Sequence, residues 1–449
     1  MEDTLQSPAT QGDFAAVTTA NESTGQYEPR KAWTIAAWLT AFSAINFLDK
    51  VVLGMVAVPV MHDLNLTTAQ FGIIAGSFFW FFSLSAALVG FLGNRVQSRW
   101  ILLAMAVMWS LVQFPASLAT SATALIVNRA LLGAGEGPGN PVSVHALYKW
   151  FPHEKRNLPV TLINQGAVIG LLLAGLMVPW ITQHWGWRAN FVVLAAASAV
   201  WALGWLCFGR EGSLRTAPAL HGKQTGQAVP DSADRVPYRR LLTDATVLSG
   251  FAVGFAAYWG LALMLTWLPS YLEQGLGYDG VTAGRMFALV VVLGMPASLL
   301  LSWCSQRMLR RGSSSRVARV LFSCACMTFG GVLFMLLPQL PLTAGGKVTM
   351  LAIASMLPPI SFALLPAVLG EIVPDSQRSA MIALSTAVAT SAGAIAPIVM
   401  GQMVHLGGAH SAQGFETGFT VCGAILLAGA IIGVLWQHPE RSLRRLRGR

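Results

Sequence analysis

The sequence predicts an all-α integral membrane protein, with twelve transmembrane helices arranged in two six-helix, pseudo-symmetric bundles. Hydrophobic residues occupy 54% of the 449 positions and charged residues only 11%, a balance outside ordinary globular usage. A hydrocarbon core about 30 Å thick needs about 20 apolar residues per helical span. Twelve such segments follow one another, centred near residues 46, 81, 109, 134, 170, 199, 258, 294, 330, 360, 392 and 426.

The connections between the segments indicate the orientation. Clusters of Lys and Arg fall on alternate connections, and positive charge marks the cytoplasmic side. The opposite connections hold only Arg188, Arg285 and Lys347. We therefore expect a multi-pass protein of the inner (plasma) membrane with both termini in the cytoplasm.

One long hydrophilic stretch divides the chain into halves of six segments. It is rich in Gly, Pro, Ser and charge, as linkers are, and the polar N-terminal stretch is typical of a disordered tail. The predicted organisation is a disordered cytoplasmic tail (1–29), an N-terminal six-helix bundle (30–209), a cytoplasmic linker (210–243), a C-terminal six-helix bundle (244–438) and a basic cytoplasmic tail (439–449).

The two halves also share weak internal similarity. "GFLGNRVQSR" follows the second segment of the first half, and "SWCSQRMLRRG" follows the second segment of the other. "FPHEKR" after the fourth segment is matched by "VPDSQR" after the tenth. Two like-oriented halves are one known transporter architecture, with the substrate site near mid-membrane between them.

Composition and motifs exclude several classes of function. The net charge of +10 comes from residues scattered through short loops, which favours contact with anionic lipid and argues against a nucleic-acid partner. The five cysteines complete no zinc set and are interpreted as buried apolar residues. Because no nucleophile with a base, phosphate loop or metal set emerges, we predict no enzyme, no catalytic residue and no metal site.

Four charged residues lie deep within apolar segments, all in helices 1 and 4. They are Asp49, Lys50, Arg129 and Glu136. Each charge at mid-bilayer costs about 2.5 to 3.5 kcal/mol on insertion scales. Arg129 and Glu136 share one helical face about 10 Å apart, too far for a tight pair, so different partners are expected for each. A structural ion-pair network and an ion or substrate pathway both remain open.

Short strings along nearly the whole chain carry a family resemblance. They are "INFLDK" in helix 1, "RALLGAGEGP" in helix 4, "KWFPHEKR" after it, "WGWRANF" before helix 6, "TWLPSYL" ending helix 7 and "EIVPDSQRSA" between helices 10 and 11. The chain resembles a major facilitator superfamily transporter of the anion:cation symporter family, which includes sugar-acid, phthalate and 4-hydroxyphenylacetate carriers. The resemblance implies a monomeric, proton-coupled importer that works by alternating access.

The resemblance has departures in the loops. Asn94 stands where the superfamily usually has an aspartate, Gln97 where it has a glycine, and Gln306 at the aspartate position of the second half. That carboxylate normally joins a charge network that latches the outward-facing state. We expect the balance between states to differ in this chain.

The buried charges suggest how movement of an anion is coupled to movement of a proton. We predict that Asp49 and Glu136 carry protons, and that Lys50 with Arg129 receives an anionic substrate. The resemblance implies the same roles for Asp49, Arg129 and Glu136, although Lys50 replaces the family's usual arginine with a point charge. The expected partners are a small organic anion, protons and the lipid bilayer, with the proton as coupling ion and no cofactor.

Other mid-membrane residues bear on the substrate. Tyr258, Gln165 and Thr390 are candidate polar contacts, with plain hydrogen bonding between helices as the alternative. Phe47 and Phe82 stand where sugar-acid members of the family often have tyrosines. Fewer hydroxyl partners favour an aromatic or weakly hydroxylated carboxylate. The alternatives are a sugar acid (aldonate or hexuronate) and, less favoured, drug:proton antiport.

Overall fold

The computed structural model describes residues 27–92, 96–152, 155–212, 214, 236–408 and 411–447. Residues 1–26 of the predicted tail, residues 215–235 of the predicted linker and Asn94 lie outside these ranges. The described chain is almost entirely helical.

The first half contains six membrane segments, of which the fourth is divided in two. Apolar runs of about 20 residues form these helices because a buried or lipid-facing backbone must satisfy its own hydrogen bonds. Their bounds are α1 (Pro29–Met55), α2 (Thr68–Leu92), α3 (Ser98–Ser117), α4a (Ala122–Glu136), α4b (Gly139–Tyr148), α5 (Asn157–Trp185) and α6 (Trp187–Phe208). A short helix, Ala57–Asp63, follows α1.

The second half repeats this order. Its helices are α7 (Ala245–Thr266), α8 (Gly280–Arg310), α9 (Phe322–Leu336), α10a (Ala344–Met356), α10b (Ile360–Ile372), α11 (Asp375–Gly407) and α12 (Ser411–Trp436). All twelve predicted segment centres fall inside helices. Eleven spans in the described ranges are long and apolar enough to cross a membrane, and α4a with α4b supplies the twelfth. The basic C-terminal stretch forms a further helix, Pro439–Arg447.

The division of α4 follows from its glycines and proline. Pro138 has no amide hydrogen to continue the helix, and it lies between the two pieces. A side chain at Gly133 or Gly137 would collide with the backbone of α2 near Phe78 and Phe82. The glycines therefore bring α4a into close contact with α2, while α1 meets α4a through polar side chains.

The halves touch each other at the side of the bundle away from the chain termini, here called the distal side. The contacts run along α2 with α11 and α5 with α8. Thr68 Oγ1 donates to the Gly401 carbonyl at 3.1 Å near the distal end. Gly54 of α1 packs on the carbonyls of Leu265 and Thr266 in α7. The distal ends of the halves are therefore closed against each other.

The cysteines correct one expectation. Cys324, Cys326 and Cys422 are buried, but Cys207 is exposed and Cys304 is partly exposed. Cys207 lies near the end of α6, whose outer face is apolar. A cysteine there suits lipid as well as a protein core, so hydropathy alone does not separate the two positions.

Candidate functional site

The four buried charges predicted from the sequence gather where α1 faces α4a. Asp49 is 0% exposed, and Arg129 and Glu136 are each 1% exposed. The Lys50 side chain is 7% exposed. With two neighbouring amides, the charges form two groups. The Lys50 group contains Asn46, Lys50 and Glu136, and the Arg129 group contains Asp49, Gln113 and Arg129.

The Lys50 group is joined by an amide. Lys50 Nζ donates to Asn46 Oδ1 at 2.6 Å, one helical turn away on α1, and Asn46 Nδ2 donates to Glu136 Oε2 at 3.0 Å. Lys50 Nζ lies 3.9 Å from Glu136 Oε2, beyond hydrogen-bond distance. The ammonium also lies 4.2 Å and 4.7 Å from the ring centres of Phe47 and Phe82, within the range of cation–π attraction.

The Arg129 group is deeper in the N-terminal half. Gln113 Nε2 of α3 donates to Asp49 Oδ1 at 2.8 Å. Arg129 Nη1 donates to the backbone oxygen of Asp49 at 3.2 Å, and its guanidinium carbon lies 5.6 Å from the ring centre of Phe191. Arg129 and Glu136 thus have different partners, as their spacing predicts.

Several polar atoms in both groups have no hydrogen-bond partner among the described residues. They are Asp49 Oδ2, Glu136 Oε1, Gln113 Oε1 and Arg129 Nε and Nη2. Buried polar groups are ordinarily satisfied, and each exception calls for an explanation. Only Lys50 and Glu136 come within ion-pair distance in this cluster. The site is therefore not a closed structural ion-pair network.

Of the other predicted contact residues, Tyr258 and Thr390 lie where the two halves meet. The Tyr258 ring lies 6.0 Å from that of Phe79, and its hydroxyl makes no hydrogen bond within the described ranges. Thr390 is held across the interface, because its hydroxyl lies 2.7 Å from that of Ser83. Gln165 is half-buried, with Oε1 unpartnered. Thr390 thus acts here as a contact between halves, the alternative that the sequence left open.

Sequence reasoning missed several buried polar residues, among them Asn46, Gln113 and Glu416. Asn46 and Gln113 are uncharged, so no charge penalty drew attention to them, although amides in an apolar segment are a usable signal. Asp244, 3% exposed, and Glu416, 7% exposed, are two further buried acids; Glu416 lies inside a helix and corrects the expectation that only Asp49 and Glu136 lie deep. It accepts from Tyr271 at 2.9 Å and pairs with Lys347 at 2.5 Å. Its position near the start of α12 made it look like a loop residue.

Comparison with known proteins assigns the family. The profile of the Major Facilitator Superfamily matches residues 39–360, well over half of the chain. The chain belongs to the major facilitator superfamily. The twelve-helix fold predicted from the sequence is confirmed.

Several similar proteins are named as transporters of organic anions. A hexuronate transporter of Bacillus subtilis is 27% identical over 88% of this chain and 91% of that protein. A probable sulfoacetate transporter of Cupriavidus necator is 26% identical over 86% and 89%. A D-galactonate transporter of Escherichia coli is 25% identical over 61% and 67%.

Solved structures show the same fold. An inward-facing, unoccupied bacterial homologue of the human lysosomal transporter Spinster superposes with a TM-score of 0.78 at 18% identity, covering 94% of this chain and 99% of that chain. A D-xylose-proton symporter gives a TM-score of 0.68 at 17% identity, covering 91% and 99%.

Proposed function

We propose that this superfamily member is a proton-coupled symporter that imports an organic carboxylate anion by alternating access. One observation carries the proposal: two buried cations with donors to spare lie beside two buried carboxylates with unpartnered oxygens, next to the meeting of the two halves. Ionisable residues inside a membrane domain mark ion and substrate pathways. Symport requires one protein to bind an anion and a proton together, and neighbouring sites for the two ions meet this requirement.

Arg129 supports the anion site. Its Nη1 is occupied by the Asp49 backbone oxygen, whereas Nε and Nη2 are buried and unpartnered. These two donors form one edge of the planar guanidinium, the edge that binds a carboxylate with two parallel hydrogen bonds. Lys50, whose ammonium lies near the rings of Phe47 and Phe82, offers a second positive charge.

The carboxylates support the proton site. Asp49 and Glu136 each keep one oxygen free of hydrogen bonds, so a proton added there meets no competing donor. An anion that binds Lys50 or Arg129 offsets the cations that otherwise stabilise the two carboxylates. Anion binding and proton binding therefore favour each other, and this linkage acts in both directions.

The substrate class we favour is a hydroxylated sugar acid, which revises the aromatic preference drawn from the sequence. Relatives named for hexuronate, galactarate or D-glucarate, and D-galactonate support it. Polar atoms without a hydrogen-bond partner among the described residues, suited to hydroxyl groups, lie on Gln113 beside Asp49 and on Gln165 in α5. A polar site of this kind discriminates against ligands that leave its groups unpaired.

An aromatic carboxylate is the second candidate. Phe47 and Phe82 pack on Lys50, and Phe79 contacts Tyr258. In the aromatic run "FFWFF", residues 78–82, Phe78 and Phe79 are buried, whereas Trp80 and Phe81 are more than 45% exposed. Part of the run therefore borders the site, and its rings would stack on an aromatic acid.

Uptake by proteoliposomes tests the proposal. Vesicles whose interior is more alkaline than the medium are offered radiolabelled D-glucuronate, D-galactonate or benzoate. We expect accumulation of a sugar acid that collapses when the pH gradient is dissipated. Accumulation of benzoate alone, beyond that in protein-free vesicles under the same pH gradient, establishes the second candidate. Substrate-driven proton movement in the opposite direction indicates antiport and overturns symport, as does uptake that ignores the gradient.

We also propose that the side of the bundle opposite the distal side, where the chain termini lie (the terminal side), faces the cytoplasm. Arg99, Lys149, Arg156, Arg239, Arg240, Arg307, Arg310, Arg311 and Arg319 lie near terminal-side helix ends, whereas Arg188, Arg285 and Lys347 lie near distal ends. Single cysteines in a cysteine-free variant, at the partly exposed Ser313 and the exposed Gln413, test this with an impermeant thiol reagent on intact cells. Labelling of Gln413→Cys alone supports the proposal, and labelling of Ser313→Cys alone overturns it.

A further inference from the structure

We infer that Asn46 is a positioning residue that transmits anion binding at Lys50 to proton binding at Glu136. This inference rests on the proposed function. The importance of this amide comes from where the structure places its two polar atoms.

The geometry makes Asn46 the link between two charges. Its Oδ1 accepts from Lys50 at 2.6 Å while its Nδ2 donates to Glu136 at 3.0 Å. The direct separation of the two charged atoms is 3.9 Å, so the amide carries both hydrogen bonds of the pair. Asn46 is 5% exposed and Glu136 1% exposed, which leaves little water to substitute for either bond.

A comparison with Gln113 shows what is particular to Asn46. Gln113 donates to Asp49, but its Oε1 has no partner. It therefore touches one charged side chain and cannot pass a change from one to another. In the central cluster, as far as it is described, Asn46 alone hydrogen-bonds to both a cation and a carboxylate.

The orientation of the amide depends on Lys50. With Lys50 bonded to Oδ1, the amide is fixed with Nδ2 toward Glu136. A substrate carboxylate that draws the ammonium away frees Oδ1 and loosens the amide. Glu136 then loses a donor that favours its charged form, together with the nearby positive charge. Both losses favour a proton on Glu136 when the anion is bound, which is the coupling that symport requires.

The experiment compares two assays of the same proteoliposomes, using whichever sugar acid the intact protein transports. Accumulation driven by a pH gradient requires coupled proton movement, whereas counterflow exchange of substrate does not. For Asn46→Ala we expect accumulation to fall about fivefold or more, in the range of typical coupling energies, with exchange nearly retained. Equal losses in both assays would show a merely structural role.

Asn46→Asp supplies a sharper readout. The carboxyl group keeps an acceptor for Lys50 but donates toward Glu136 only when it is protonated. Coupled accumulation is therefore expected to recover as the pH is lowered, while Asn46→Ala shows no such recovery. The charged or titratable side chains around Glu136 that shape this profile are Lys50, Asp49, Arg129 and Tyr258. A profile unchanged from that of the intact protein overturns the inference.

Asn190→Ala is the matched control. Asn190 is a buried amide in the same half, 1% exposed, that donates to Thr182 and to the Trp187 carbonyl, away from the charges. Its loss should lower thermal stability without separating accumulation from exchange. The two proposals fail differently: if the intact protein ignores the pH gradient, symport itself is wrong, whereas coupled transport that survives in Asn46→Ala removes only the role of Asn46.

Discussion

The two halves of the molecule hold their terminal-side helix ends together in the same way. In the first half, Arg99 Nη2 donates to the Leu206 carbonyl near the end of α6 at 3.1 Å; in the second, Arg316 Nη2 donates to the Val434 carbonyl near the end of α12 at 3.0 Å. Ser98 accepts from Lys149, and Ser315 donates to Glu371. These matching contacts follow the repeat seen in the sequence.

These terminal-side contacts, here called the frame of each half, are inverted in charge at one matched position. Lys149 and Glu371 stand at the same distance before the prolines of "FPHEKR" and "VPDSQR". Lys149 pairs with Glu211, and Glu371 pairs with Arg319. The contact geometry of the frame is therefore shared by the halves, as is the arginine (Arg99 and Arg316), whereas the charge is reversed between Lys149 and Glu371.

The centres of the halves differ far more. The first half places four charges at mid-membrane, whereas the described mid-helix positions of α7 to α12 carry none. Of the buried acids of the second half, Glu416 pairs with Lys347 toward the distal side, and Asp244 caps the start of α7 at the other side. Helix ends are constrained by the need to hold the bundle together, and the centre is free to specialise. The comparison predicts that mutations at the centre of the first half alter transport, while mutations in the frames alter stability.

The largest effect is expected at Glu136. A glutamine cannot release a proton, so Glu136→Gln should abolish accumulation driven by a pH gradient while substrate counterflow is retained. Asp49→Asn serves as the comparison within the same half. Unchanged accumulation in Glu136→Gln would remove that residue from the proton pathway.

The next largest effect is expected at Arg129. Losing the free guanidinium edge removes hydrogen bonds to a charged group, each worth about 1.5 to 3 kcal/mol. Substrate affinity in Arg129→Lys should therefore fall by about one to two orders of magnitude, measured by isothermal titration in detergent. Full affinity in this variant contradicts an anion site at Arg129. Arg316→Lys, in the frame of the other half, is the control and should leave affinity unchanged.

A moderate effect is expected in the frames. The Lys149–Glu211 side chains are about one quarter exposed, so breaking the pair should cost about 1 kcal/mol or less. Lys149→Ala should lower the thermal unfolding temperature slightly without altering coupling. The double exchange Lys149→Glu with Glu211→Lys gives this half the polarity of the other and should restore stability. A double variant no more stable than Lys149→Ala shows that the halves do not tolerate inversion.

The smallest effect is expected at Asp63, after α1. Arg188 donates to its carboxylate at 2.5 Å, and this hydrogen bond lowers the pKa of Asp63 below its ordinary value of 3.8. The contribution to stability is fully present above that ordinary value and is lost as the pH falls through the lowered pKa. Asp63→Asn should therefore unfold slightly earlier than the intact protein at neutral pH, and the difference should disappear in strong acid. A difference that persists there points to packing.

The sequence predicted much of the fold and part of the site. The sequence alone indicated the helix centres, the repeat and the positions of four buried charges. Each membrane segment is recognisable by its apolar composition, and a charged residue within it is a clear exception. Asn46 and Gln113 were not found, since an uncharged amide has no comparable insertion penalty. Glu416 was missed because its helix extends further than the apolar run suggested.

By itself, the amino-acid sequence determined that this chain spans a membrane twelve times in two related halves and that its unusual charges lie in helices 1 and 4. Only the tertiary structure decided that Asn46 joins Lys50 to Glu136, that Arg129 keeps one edge free, and that Thr390 bonds across to Ser83. The reason is physical: hydropathy and helical spacing are properties of one segment. Which polar atom meets which depends on how several helices pack, where a shift of a single turn selects different partners.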